Sequence, residues 1–179
     1  YNGNVSDILA FNGLSSNDDL TVGETIIIPD GEISGSLAVT PPRTTTSASS
    51  KLPELKGFFM RPILNAVRSR GLHGKNGVDL INSNTSGNGC GPKNVPVFAS
   101  AEGTVLLAKS SGWNGGYGKY IVISHPNNGV QTLYAHLKLI LAATGKKVSQ
   151  GETIGYVGSS GNSTGCHVHF EVRGAKNPF

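Results

Sequence analysis

The sequence predicts a mainly β fold, and three observations predict it. From Gly57 onward the chain runs in short apolar stretches separated by glycine, none of which sustains a helical period, and 25 glycines are spread over the 179 residues. Such a chain is expected to form an antiparallel barrel-like or sandwich-like domain, preceded by a short segment of different character. With 37% hydrophobic residues it can bury a core, and no apolar run is long enough to span a bilayer. The chain opens at Tyr1 without an initiator Met or a leader pattern and is read as a piece of a longer protein.

The first element is a helix. Ser6 is placed to cap it, Ile8, Leu9 and Phe11 follow at helical spacing, and Asn12-Gly13 stops it. A polar turn leads into "GETIIIPD", a strand closed by Pro29. On "DILAFNGL" and "LTVGETIIIP", residues 1–30 resemble the second half of a LysM module, a small βααβ unit that grips N-acetylglucosamine polymers. The resemblance implies glycan binding, but a helix and a strand alone lack half of that core, so weak or no binding of chitin oligomers is expected from this stretch by itself.

Residues 31–56, "GEISGSLAVTPPRTTTSASSKLPELK", are rich in Ser, Thr and Pro and too poor in large apolar residues to bury themselves, the composition of a linker. Charge changes along the chain as well. Residues 1–50 carry a net −5 and residues 51–179 a net +9, within a total of +4. The Lys and Arg of the basic part are scattered and lack interleaved aromatics, so an anionic polymer such as a cell wall is as acceptable a partner as nucleic acid on charge alone.

In the body, residues 57–179, "GFFMRPI", "NGVDLIN", "PVFASAEGTVLLAK", "KYIVISH", "VQTLYAHL", "GETIGYVGS" and "CHVHFEVR" each read as one strand or two. Pro126-Asn127-Asn128-Gly129 marks a hairpin turn between the fourth and fifth of these. Cys90 and Cys166 lie far apart and form no C-x-x-C, which excludes zinc-finger and thioredoxin-like readings and leaves an extracellular disulfide or two thiols.

Histidine occurs only at 73, 125, 136, 167 and 169. On a strand, His167 and His169 share one face while Val168 and Phe170 take the other. An H-x-H alone is ordinarily a pair of surface histidines, so the rest of the chain has to decide. Asp79 sits between Val78 and Leu80, where an unpaired carboxylate is costly; a salt bridge or a metal ion would make it favourable. Imidazole and carboxylate donors together suit a tetrahedral Zn²⁺, and three protein ligands leave a fourth position for water. His125, at a strand end, reads as a surface histidine.

Taken together, "HGKNGVDL", "VFASAEGTV", "GGYGKYIVISH", "LYAHL", "VSQGETIGYVGSSGNSTG" and "HVHFEVR" follow one another in the order of the M23 metallopeptidases, the LytM or lysostaphin type. The resemblance covers Gly57 to Phe179 almost continuously. It implies a secreted zinc endopeptidase that hydrolyses peptide bonds of bacterial peptidoglycan through a zinc-activated water. By position it implies His73, Asp79 and His169 as ligands of one Zn²⁺ per chain, and His136 and His167 as the catalytic, non-ligand pair. Peptidoglycan becomes the partner, its glycan met through the LysM-like segment, with no role for nucleic acid, and the location becomes extracellular, cell envelope or periplasm. In that oxidising setting Cys90 and Cys166 are expected to pair, against the alternative of two buried thiols. The sequence departs from the family in three places: His73 and Asp79 stand six apart rather than four, so that the intervening loop must bulge; Cys166 replaces a proline; and Arg68 and Arg70 precede His73 where some relatives place a tyrosine. A non-catalytic M23-like domain that activates a partner hydrolase, and a purely structural wall-binding protein, are the competing readings. Zinc content separates them from the enzyme.

Overall fold

A computed structural model describes residues 52–85, 90, 94–126 and 128–179. The LysM-like segment and nearly all of the linker lie outside these residues. The described chain contains ten strands and one short 3₁₀ turn, Asn114–Gly116. In chain order the strands are β1 Val67–His73, β2 Gly77–Ile81, β3 Pro96–Phe98, β4 Gly103–Lys109, β5 Tyr120–His125, β6 Val130–Ala135, β7 Leu137–Ile140, β8 Lys147–Val148, β9 Thr153–Val157 and β10 Val168–Arg173. They form two antiparallel sheets: seven strands in the order β1-β2-β10-β6-β5-β4-β8, and three in the order β3-β9-β7. The mainly β, antiparallel expectation is met.

Period-two alternation gives the large sheet two different faces. Val78 and Leu80 of β2, Ile121 and Ile123 of β5, Tyr134 of β6, and Val168, Phe170 and Val172 of β10 point into the main core, where they join Val97, Leu137, Ile154 and Val157 from the small sheet. The intervening residues Tyr120, Val122, Leu133 and Ala135 form a second, smaller cluster on the opposite face, together with the partly buried Tyr117, Leu106 and Leu107. Asp79 and His169 fall on that same second face. The main core therefore holds the backbone that carries the site, while the site itself opens on the far side.

The expected hairpin is present, with His125 opposite Val130 and Ile121 opposite Tyr134. Two readings are corrected. "GFFMRPI" is not a strand: Gly57 and Pro62 interrupt it, and it crosses the sheet ends with isolated bonds, Met60 N–H to Ser100 O at 2.7 Å and Phe98 N–H to Pro62 O at 2.8 Å, burying Phe59 and Ile63. His125 is not on the surface. It is 1% exposed, its Nδ1 2.7 Å from Glu102 O and its Nε2 2.8 Å from Thr132 Oγ1, with the Phe58 and Phe59 rings edge-on to it. The alternation of "YIVISH" places it beside core residues, and two polar partners make its burial acceptable.

Candidate metal centre

Four histidines and one aspartate meet because four segments converge at one end of the large sheet. β1 and β2 form a hairpin that carries His73 at the end of the first strand and Asp79 in the second, with His73 opposite Gly77. The six-residue spacing is absorbed by the turn at 74–76 and by irregular register in β1. Asn76 locks this turn, its side-chain amide donating to Val172 O at 2.7 Å and Ala175 O at 2.8 Å, so that the hairpin is tied to the end of β10. In β10, His169 is the direct partner of Asp79. Cys166, immediately before His167, is bonded to Cys90, with Cα atoms 5.1 Å apart across 76 positions of sequence.

His136 comes from a break. β6 belongs to the large sheet and β7 to the small one, and the residue between them, His136, turns the chain with a φ of 60°. A left-handed conformation is unusual for a residue with a Cβ and is kept only where its surroundings enforce it. Here they do: His136 N–H donates to Tyr117 O at 2.9 Å, and its Nδ1 lies 2.8 Å from Ser160 O. The two loops that supply those carbonyls touch backbone to backbone. A Cβ on Gly118, whose φ is +64°, would stand 2.4 Å from the carbonyl carbon of Ser160, so only glycine fits there.

The donor atoms converge on Asp79. Its Oδ1 is 2.9 Å from His169 Nδ1, 3.2 Å from His73 Nε2 and 3.7 Å from His167 Nε2. His73, Asp79 and His169 each offer one donor atom, and the three atoms lie within 4.8 Å of one another. Asp79 and His169 are each 8% exposed, and together with His136 and His167 they line an open cleft of about 480 Å³.

The second nitrogen of each ring decides what the first can do. His73 Nδ1 faces Gly71 O at 2.7 Å, His136 Nδ1 faces Ser160 O, His167 Nδ1 faces Gly165 O at 2.9 Å, and His169 Nε2 faces the Glu171 carboxylate at 3.1 Å. Carbonyls and carboxylates only accept, so the neutral His136 ring carries its proton on Nδ1, whereas His73 and His169 meet an acceptor on both nitrogens, Asp79 Oδ1 being the inner one. The inner nitrogens, Nε2 of His73 and Nδ1 of His169, both face one carboxylate oxygen, an arrangement that calls for a cation between them: a proton on His169 Nδ1, or a metal ion in its place. This donor set, two imidazoles and one carboxylate, matches the chemistry of zinc.

The electrostatics agree. Burial opposes charge on both Asp79 and His169, but their mutual hydrogen bond and their charged neighbours outweigh it: Asp79 stays ionised below its ordinary range, and the two carboxylates Asp79 and Glu171 lift His169 to about 9. The environment favours a positive charge at this point. His136 goes the other way, pushed down to about 4 by burial against the opposing Ser160 hydrogen bond, and is therefore neutral near pH 7.

All five residues singled out in the sequence are in the cleft. Tyr117, Glu171 and Arg173 were not anticipated. The Tyr117 hydroxyl donates to Glu171 Oε1 at 2.6 Å, and Arg173 holds Glu171 Oε2 through Nε at 2.9 Å and Nη2 at 2.6 Å. The signal was available for two of them. His167, His169, Glu171 and Arg173 share one strand parity, and a charged pair continuing a histidine face in an otherwise apolar strand marks a buried polar network.

Comparison with known proteins is consistent with this geometry. The LysM domain model matches residues 1–29. The DD-carboxypeptidase/endopeptidase Mpg of Neisseria meningitidis serogroup B is 44% identical over 117 residues, covering 65% of this chain and 23% of that protein. The peptidoglycan DD-endopeptidase ShyA of Vibrio cholerae is 41% identical over 81 residues, covering 45% of this chain and 18% of the relative. The chain thus spans about a quarter or less of these relatives' length. A crystal structure from Pseudomonas aeruginosa assigned to peptidase M23 superposes with a TM-score of 0.52 at 26% identity, covering 69% of this chain and 49% of that one. The model of peptidase family M23 matches residues 75–179, more than half of the chain, and this protein belongs to that family.

Proposed function

We propose that this protein is a zinc-dependent endopeptidase of the bacterial cell envelope that hydrolyses peptide bonds in peptidoglycan, with a LysM-like glycan-binding segment at 1–30, a linker at 31–56 and the peptidase domain at 57–179. The observation that carries the reading is the convergence of His73 Nε2, Asp79 Oδ1 and His169 Nδ1 beside two further imidazoles whose outer nitrogens are tied to carbonyls. Family membership, the DD-carboxypeptidase/endopeptidase name of the Neisseria relative and the peptidoglycan DD-endopeptidase name of the Vibrio one support the substrate.

His73, Asp79 and His169 would hold one Zn²⁺. When bound, zinc supplies a Lewis acid that polarises the scissile carbonyl and brings the pKa of water towards neutrality. The chain's own residues manage the protons. His136 and His167 have Nδ1 tied to a carbonyl, so Nε2 is the acceptor in the neutral ring, and the two rings lie 4.7 Å apart. They receive the proton of the attacking water and return it to the leaving amine, which requires neither a serine nor a cysteine nucleophile. Cys166 is engaged in its disulfide and takes no part.

The test is zinc content by elemental analysis of the purified chain, alongside digestion of defined muropeptides read by mass spectrometry. One zinc per chain with peptide-bond cleavage is expected. A metal-free, wall-binding protein that releases no peptide would point to the non-catalytic reading instead.

A further inference from the structure

Four imidazoles line the cleft, and three of them rest their outer nitrogen on a backbone carbonyl. His169 is different: its Nε2 meets the carboxylate of Glu171 at 3.1 Å. Glu171 is 1% exposed and lies outside the group of donors that could hold a metal. Both of its oxygens are engaged. Tyr117 donates to Oε1 at 2.6 Å from the loop above the sheet, and Arg173 donates twice to Oε2 from the same strand. A carboxylate held from two directions cannot turn away from the ring it faces.

We propose that Glu171 is a positioning residue for His169: it accepts the Nε2 proton, so that a metal taking the place of the proton between Nδ1 and Asp79 meets Nδ1 as its donor, and it aims that nitrogen at the point where Asp79 and His73 also converge. The inference rests on the reading of His169 as a metal ligand. A backbone carbonyl, as used by His73, would select the same tautomer; a carboxylate also adds negative charge behind the ring and makes its opposite nitrogen a stronger donor. Tyr117 and Arg173 act through Glu171, by holding it.

The test uses the full chain, and zinc as the probe. Its readouts are zinc affinity by competition with a chromogenic chelator and the ¹⁵N state of the His169 ring in the zinc-loaded protein. Two variants are compared with wild type. Glu171→Gln keeps an oxygen acceptor but loses the charge; Glu171→Met combined with Arg173→Met removes both charges and leaves neither buried and unpaired. Wild type is expected to show Nδ1 on the metal and a proton on Nε2. The double variant is expected to bind zinc about 10- to 100-fold more weakly and to lose the single tautomer, with Glu171→Gln keeping the tautomer but at least about threefold weaker. If the double variant does not fold, Glu171→Gln decides. Zinc binding within about twofold of wild type by Glu171→Gln, or by a folded double variant, overturns the proposal. His169→Ala separates the two layers: undiminished zinc affinity there means that the ligand assignment has failed, whereas loss of zinc there with none in the Glu171 variants means that only the role of Glu171 has failed.

Discussion

At the scale of single residues, holding a metal and moving protons make different demands, and substitutions separate them. Replacing His73, Asp79 or His169 by Ala removes one of three converging donors, so zinc content and activity are expected to fall together. Replacing His136 or His167 by Ala leaves those donors in place; zinc is expected to stay near one per chain while turnover falls about 10²- to 10⁴-fold. Zinc stoichiometry after dialysis, measured beside peptidoglycan turnover, checks all five. Loss of metal in the His167 variant with retention in the His73 variant would reverse their roles. Gly77 gives a second test at this scale. A Cβ there would stand 2.6 Å from His169 Cε1 and 3.2 Å from Glu171 Cγ, so the ring must move. Gly77→Ala is expected to weaken zinc binding and to cost about 1–3 kcal/mol of stability, readable by chelator competition and urea unfolding.

At the scale of elements, the hairpin of β5 and β6 carries a polar chain through the core. His125 Nε2 lies 2.8 Å from Thr132 Oγ1, which is 2.9 Å from the Tyr134 hydroxyl, and that hydroxyl accepts the N–H of Ser100 at 2.8 Å. Burial lowers the pKa of His125 in the folded protein, against the opposing bond to the Glu102 carbonyl. The unfolded chain therefore binds the proton first. Its contribution is fully present above the unfolded value of about 6.5 and is lost as pH falls below that towards the lower folded value. With a chelator present to remove any metal contribution, the urea midpoint is expected to drop between pH 7 and pH 5, and to drop less in His125→Gln. An equal drop in both would show that His125 does not carry the acid sensitivity.

At the scale of the whole molecule, the Cys90–Cys166 bond joins the stretch that follows β2 to the residue before His167. Closing so long a loop restricts the unfolded chain, and on the chain-entropy account is worth about 4 kcal/mol. No free thiol is expected under denaturing, non-reducing conditions. Replacing both cysteines by Ser is expected to lower the unfolding midpoint and, since His167 follows Cys166 directly, to reduce turnover more than zinc content. Two titratable thiols in the native protein would contradict this.

The sequence by itself determined the class of the fold and the chemical inventory of the site, because both are written locally. Strand parity in "HVHFEVR", "VDL" and "YIVISH" states which residues share a face, the Pro-Asn-Asn-Gly turn sets one hairpin, and the run of motifs announces the M23 family. Other features depended on segments distant in sequence meeting in space. Nothing local says that Tyr117 would reach Glu171, 54 positions away, or that the bonds of His136 to Tyr117 and Ser160 would hold it at a positive φ as the chain changes sheets. The burial of His125 needed Glu102 and Thr132 to arrive as partners, and "GFFMRPI" lost its strand because the sheet edge it meets offers isolated bonds rather than a ladder. Which nitrogen of each imidazole carries the proton was likewise a tertiary decision, since it follows from the acceptor that the fold sets behind the ring.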